Sequence, residues 1–294
     1  MDGKRGLDFY LLAAFFGAFL LFLYGPTLTI FVLSLQGPDG GLVFPMRGLS
    51  LYWFGKLFEG IGVIDIGAAL MRSFKLGLCV TVLTVTLALG AGLAYRKKLW
   101  GGGPLFYITV ASLIMPSIIV SLGIGLSFRL FDGVLRDFFV WAGWEIADSF
   151  ATSMGLYTSA LGAQLTWTLP FGLLILFAVF NRFNAAYEEA ARDLGATAFQ
   201  SFRHVVLPLI GPSVVGVAMF GFTLSWDEIA RTSQAIGDLN TLPLELQGLT
   251  TTVTTPVIYA LGTLTTLVSC LVILIALGIA TFAQRRTKRG KDVA

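Results

Sequence analysis

Residues 156–226 read LYTSALGAQLTWTLPFGLLILFAVF (156–180), NRFNAAYEEAARDLGATAFQSFRH (181–204) and VVLPLIGPSVVGVAMFGFTLSW (205–226). The outer two runs hold no charged residue, and the middle one is strongly polar. A helix crosses a hydrocarbon core of about 30 Å with about 20 apolar residues. Each outer run is therefore long enough to span a bilayer, and the polar stretch between them must lie in water on one side.

The same reading extends through the chain. Of its 294 residues 56% are hydrophobic and only 13% charged, with a mean hydropathy of +0.82. Soluble domains carry about 25% charge, so the class is membrane-embedded. The pattern predicts an all-α integral membrane protein with six transmembrane helices at about 9–35, 76–95, 105–128, 156–180, 205–226 and 257–283, in a single domain over 1–294. The first run is too long for a cleaved signal, whose apolar region is about 7–15 residues. It reads as a retained anchor that Gly25-Pro26 kinks or ends. Residues 36–75 connect the first two helices. Their aromatic segment Leu51–Phe58 fits a short interfacial helix, with a surface for an external partner as the alternative. Gly101–Pro104 reads as a turn, 129–148 as a polar loop and 246–255 as a Thr-rich shoulder or re-entrant segment before the last span. Cys79 and Cys270 read as buried apolar residues, and with a single histidine, His204, no His-cluster metal site is expected.

Charge distribution orients the chain. With the N-terminus inside, thirteen Lys and Arg fall on the inner side and seven on the outer, so both termini are expected in the cytoplasm. Residues 181–207 then form a cytoplasmic loop. Its apolar positions Tyr187, Ala191, Leu194, Ala198, Phe202 and Val205 recur at steps of three and four, a helical period. Gly195 interrupts the pattern and Thr197 suits a cap. Two short helices with a bend at Gly195 are expected. Periodicity alone fits a solvated loop helix as well as one inserted into a cleft of a partner.

The six runs hold no deep charge, whereas proton- and sodium-coupled carriers commonly show one. This argues against a secondary transporter. No convergent cluster of catalytic residue types appears, so no enzyme is expected. Polar lining must come from Ser117, Ser121, Gln164, Thr166, Thr168, Thr223 and Ser225, for which hydrogen bonding between helices is the simplest role. Ser117, Gln164, Trp167, Ser225, Trp226, Asp227 and Glu228 are the candidate pathway residues. Asp227 and Glu228 follow the fifth span at its outer end and suit either a solvated terminus or an acidic gate for a cationic solute.

Glu189-Ala190-Ala191, Gly195, Val205 and Leu207-Pro208 match, in residue and spacing, the EAA-x3-G-x9-I-x-LP signature of ABC importer permeases, with Val205 in place of Ile. The chain resembles that family. The resemblance implies a type I importer permease (MetI-like) fold and an ATPase-coupling helix that uses Glu188, Glu189, Ala190, Ala191, Asp193, Gly195, Ala196, Val205, Leu207 and Pro208. Residues 222–228 and 241–245 look like the spermidine/putrescine-type subfamily, whose relatives also carry opines, aminoethylphosphonate and ferric iron. Implied partners are two ATP-binding subunits, a second permease that is a paralogue, a periplasmic solute-binding protein and the lipid of a bacterial inner membrane, with no nucleic acid. The chain has no G-x-x-x-x-G-K-[ST] loop, so no cofactor is expected on it. ATP and Mg would belong to the separate ATPase.

Overall fold

The computed structural model describes residues 6–60, 64–96, 102–145, 150–252 and 255–289. They form helices α1 (Leu7–Ser34), α2 (Tyr52–Glu59), α3 (Ile66–Tyr95), α4 (Gly102–Ala111) and α5 (Ser117–Trp141). After these come α6 (Leu156–Asn181), α7 (Ala186–Asp193), α8 (Ala198–Trp226), α9 (Leu242–Thr252) and α10 (Val257–Arg289). Among the described residues, six segments are long and apolar enough to cross a membrane: α1, α3, α5, α6, α8 and residues 257–275 of α10. Among the described residues there is no strand, only an isolated bridge between Gln36 and Leu49.

The chain divides into two compact units. The first comprises residues 1–67 and 245–268. In it α1 is apolar all round and exposed along almost its whole length, which suits a helix surrounded by hydrocarbon or other helices. The loop after α1 closes on the buried Gln36 side chain, which accepts from the Arg47 N–H (2.7 Å) and donates to the Gly41 carbonyl (3.1 Å). The Tyr259 hydroxyl donates to the Leu42 carbonyl (2.7 Å). Buried polar groups of the loop are thereby paired, as burial requires.

The second unit comprises residues 68–244 and 269–294. Its core joins α3, α6 and α8 through Ala88, Leu176, Phe180, Val206, Ile210 and Val217. A second cluster gathers Leu76, Val80, Ala160 and Ile236. Thr84 and Thr168 hydroxyls meet at 2.7 Å across α3 and α6, so each satisfies the other away from water.

Several boundaries differ from the sequence reading. The third span is not 105–128: α4 ends at Ala111, residues 112–116 break the helix, and α5 starts at Ser117. Pro116 lacks an N–H, and its ring clashes with the preceding turn. The stretch 129–141 is not loop, because α5 continues through it. Arg129, Asp132 and Arg136 lie at i, i+3 and i+7, one face of a helix, while Leu130, Phe131, Val134 and Phe138 cover the others. The second span begins at Ile66, ten residues before the uncharged run, and carries Arg72 and Lys75 in its early turns. Gly102, Gly103 and Pro104 open α4 instead of forming a turn, with Pro104 in the first turn, where its missing N–H is harmless. Residues 242–252 are helical. Pro26 lies inside α1 and does not end it. Cys270 is exposed on α10, while Cys79 is half-buried. Of the residues used for orientation, Lys4, Arg5, Lys97, Lys98 and Lys291 lie outside the described residues.

Candidate functional site: an exposed polar helix and a buried arginine

The polar stretch between α6 and α8 folds as its sequence asks. Asn184 Oδ1 accepts from the Ala186 N–H (3.0 Å) at the start of α7, and Glu188 and Glu189 sit in the first turn, where their charge complements the helix dipole. At the other end the Gly195 N–H bonds to the Arg192 carbonyl (2.8 Å) and the Ala196 N–H to the Ala191 carbonyl (3.0 Å). This is a Schellman closure, and it needs a left-handed residue after the C-cap. Gly195 supplies it with φ +85°. Thr197 then caps the next helix in a reciprocal box with Gln200. That second helix is not separate: it runs through one wide π turn at Phe202–Val206 into the membrane-length part of α8. Pro208 stands in the first turn of that regular part.

The α7 surface is open. Glu189, Ala190, Arg192 and Asp193 are exposed, Ala191 and Ala196 are half-buried, and Leu194 is 90% exposed. Tyr187 and Phe199 also present large apolar surface. Glu188 is turned inward. The Arg96 guanidinium, just past α3, grips it with two bonds (2.9 and 3.3 Å) and lies over the rings of Phe180 (5.2 Å) and Phe183 (4.9 Å). Val205 is half-buried and Leu207 likewise, while Pro208 is exposed.

The second site lies after α8, at what the sequence suggests is the outer end of the fifth span. Residues 227–241 fold back among α3, α5 and α6. Gln164 of α6, buried, donates to the Thr232 hydroxyl (3.0 Å) and accepts from Ser225. The Ser121 hydroxyl accepts from the Gln234 N–H (3.0 Å), and Ser159 donates to the Ala235 carbonyl. Gly125 makes the approach possible: a Cβ there would stand 2.4 Å from the Gln234 carbonyl oxygen. A cavity of about 550 Å³ lies against this loop, lined by Arg129, Asp132, Thr152, Ser233, Gln234 and Asp238 among others.

At the centre of the fold-back is Arg231, 0% exposed. Its Nε donates to Ser117 Oγ (3.2 Å), Nη1 to Thr166 Oγ1 (2.6 Å) and Nη2 to the Ser112 carbonyl (2.6 Å), and the guanidinium lies 4.8 Å from the centre of the Trp167 ring. Glu228 accepts from the Arg231 backbone N–H (2.7 Å). Burial pushes the Glu228 carboxyl above its ordinary range, against the pull of that N–H and of the Arg231 charge. The runs as drawn from sequence hold no deep charge, yet the folded bundle holds this one, brought in from a neighbouring loop.

Of the candidate pathway residues, Ser117 and Trp167 meet around Arg231, together with the polar lining residue Thr166, and Gln164 and Ser225 pair beside them. Trp226 is buried and stacked on Phe222 (5.7 Å), and Asp227 is exposed. Ser112, Ser159, Arg231 and Thr232 are the members that sequence reasoning missed. Only the polar positions on the spans hinted at a buried partner.

The profile of the family described as "Binding-protein-dependent transport system inner membrane component" matches residues 84–289, more than half of the chain. The chain belongs to this family. The permease is 26% identical over 282 residues to the spermidine/putrescine transport system permease protein PotC of Haemophilus influenzae, covering 96% of this chain and 98% of that protein. It is 26% identical to the putrescine transport system permease protein PotI of Escherichia coli, covering 92% and 90%. Among solved structures it is similar to a bacterial alginate ABC transporter in complex with an alginate-pentasaccharide-bound periplasmic protein. The TM-score is 0.56 at 18% identity, with 96% of this chain and 94% of that chain covered, a likeness that shows the fold. The chain is thus the membrane-spanning permease component of an ABC importer, a type I permease fold with six apolar spans.

Proposed function

We propose that this permease carries a polyamine such as spermidine or putrescine inward, driven by ATP hydrolysis on a separate subunit. The observation that supports the solute class is similarity along nearly the whole chain to permeases of spermidine/putrescine and putrescine systems. The acidic pair Asp227 and Glu228 at the end of α8 adds to it, since carboxylates at a pathway mouth favour cations.

In this reading the whole chain is one permease domain with both termini cytoplasmic. The exposed α7 inserts into a cleft of an ATP-binding subunit. Glu189, Arg192 and Asp193 offer charge, Ala190 allows close approach, and Leu194 offers apolar area. The Arg96–Glu188 pair links α7 to α3, so that movement of the ATPase reaches the spans. A second permease completes the pathway and a periplasmic solute-binding protein delivers the solute. ATP and Mg reside on the ATPase pair.

The test is uptake of labelled spermidine and putrescine by cells that express the complete importer, against cells lacking this chain. Saturable, ATP-dependent uptake that falls in Asp227→Asn supports the reading. Uptake of neither amine removes the polyamine assignment.

A further inference from the structure

The acceptors around Arg231 form a site in their own right. Ser117 Oγ, Thr166 Oγ1 and the Ser112 carbonyl converge on one point, and the face of Trp167 closes it. Three features make this a place for a cation. Ser112 lies in the break between α4 and α5, at the C-terminal end of α4. Carbonyls there carry partial negative charge and have no helical partner. Hydroxyl oxygens supply two more acceptors, and an indole face attracts cations, most strongly when water is excluded. No carboxylate lies within ion-pair distance of the guanidinium among the described residues. Its direct contacts are neutral hydrogen-bond acceptors and a ring, and the Glu228 charge acts on it from beyond ion-pair distance.

The occupant is tethered. Arg231 is wholly buried, while Ser112, Ser117, Thr166 and Trp167 are each only half-buried. Withdrawal of one flexible side chain would open a cage whose walls already reach the surface. A buried charge is costly within a membrane protein, and leaving the acceptors unpaired is costly as well. Exchange of one cation for another avoids both costs, because the hydrogen bonds lost by the guanidinium are remade by the newcomer. The loop backbone need not move for this, since Thr232, Gln234 and Ala235 hold it independently.

We propose that the Ser112–Ser117–Thr166–Trp167 cage is a binding site for the terminal ammonium or guanidinium group of the transported solute, and that Arg231 occupies it as an internal surrogate when solute is absent. The proposal takes only the cationic class of the solute from the polyamine reading. Arg231 then acts as an autoinhibitory plug: it keeps the cage filled, and the solute must compete with it.

The full-length chain, purified in nanodiscs, is titrated with agmatine and with spermidine at fixed ionic strength, alongside Arg231→Ala, Arg231→Gln and the double variant Arg231→Ala/Trp167→Leu. The expected result is that Arg231→Ala binds agmatine saturably and at least about tenfold more tightly than the native chain, and that the double variant loses about tenfold of that gain. Arg231→Gln, which keeps a polar side chain without the charge, is expected to show a smaller gain. It stands in for Arg231→Ala should that variant not fold. Equal or weaker binding of both amines by the folded variants overturns the proposal. Failure of both single variants to fold also overturns it, because Arg231 is then a structural pin. Spermidine uptake by the importer without cage binding would overturn the cage and leave the proposed function standing. Cage binding without polyamine uptake would do the reverse.

Discussion

The segment 186–201 and the segment 227–236 both follow an apolar span, and both are polar on paper, yet they fold in opposite senses. The first turns its charges outward except Glu188, which Arg96 holds, and its helix ends are set by neighbours within five residues: a capping Asn184, a Schellman closure at Gly195 and the Thr197–Gln200 box. The second turns its one cation inward and is organised by residues as far as 119 positions away. A surface element built from local rules is free to meet a partner, whereas an element built from distant contacts reports the inside of the bundle. The proposed coupling role falls to the first and the proposed solute chemistry to the second.

Substitutions test that division from its strongest point. Gly125→Val should have the largest effect, since its side chain must displace the Gln234 carbonyl. Overpacking of this kind costs roughly 3 kcal/mol, seen as a large drop in thermal midpoint. A small drop would mean that the fold-back is loosely held. Gly195→Val comes next. A branched residue at φ +85° costs about 1–2 kcal/mol, confined to the end of α7. ATP-dependent uptake is expected to collapse while the unfolding midpoint shifts by only a few degrees. If uptake persists, the bend is not needed for coupling.

Arg96→Ala removes a partly exposed ion pair and two ring contacts, for about 1 kcal/mol of stability. Its larger signature should be uncoupling: ATP hydrolysis by the complex continues while uptake falls. The smallest effect concerns Glu228. Its folded-state carboxyl holds a proton to higher pH than in the unfolded chain. Stability should thus be fully present below the ordinary carboxylate range and decline as pH rises through the raised value. Glu228→Gln should flatten that decline, as read from unfolding midpoints across pH 4 to 8.

The contrast also explains what the sequence could reveal. Six apolar spans and the Glu189–Pro208 signature are legible because hydrophobic run length and helical period are local properties. The extension of α5 to Trp141 was legible in principle, since Arg129, Asp132 and Arg136 share one helical face, but a reading by uncharged run length stops at the first charge. The break at 112–116 hides behind a single Pro116 in an otherwise continuous apolar run. Arg231 was not legible. Its partners Ser112, Ser117 and Thr166 lie on other elements, and nothing in residues 227–241 distinguishes a loop that faces water from one that folds inward. Residue type alone suggests Trp167 and Ser117 as pathway candidates, without the cation that brings them together.

The most direct measurement is copurification of the ATP-binding subunit with tagged native chain, Glu189→Arg and Arg231→Ala, each checked for monodispersity. The expected result is that the native chain and Arg231→Ala retain the subunit while Glu189→Arg loses it at unchanged thermal midpoint. Retention by Glu189→Arg, or loss only in Arg231→Ala, would contradict the assignment of coupling to the exposed helix and of solute chemistry to the buried loop.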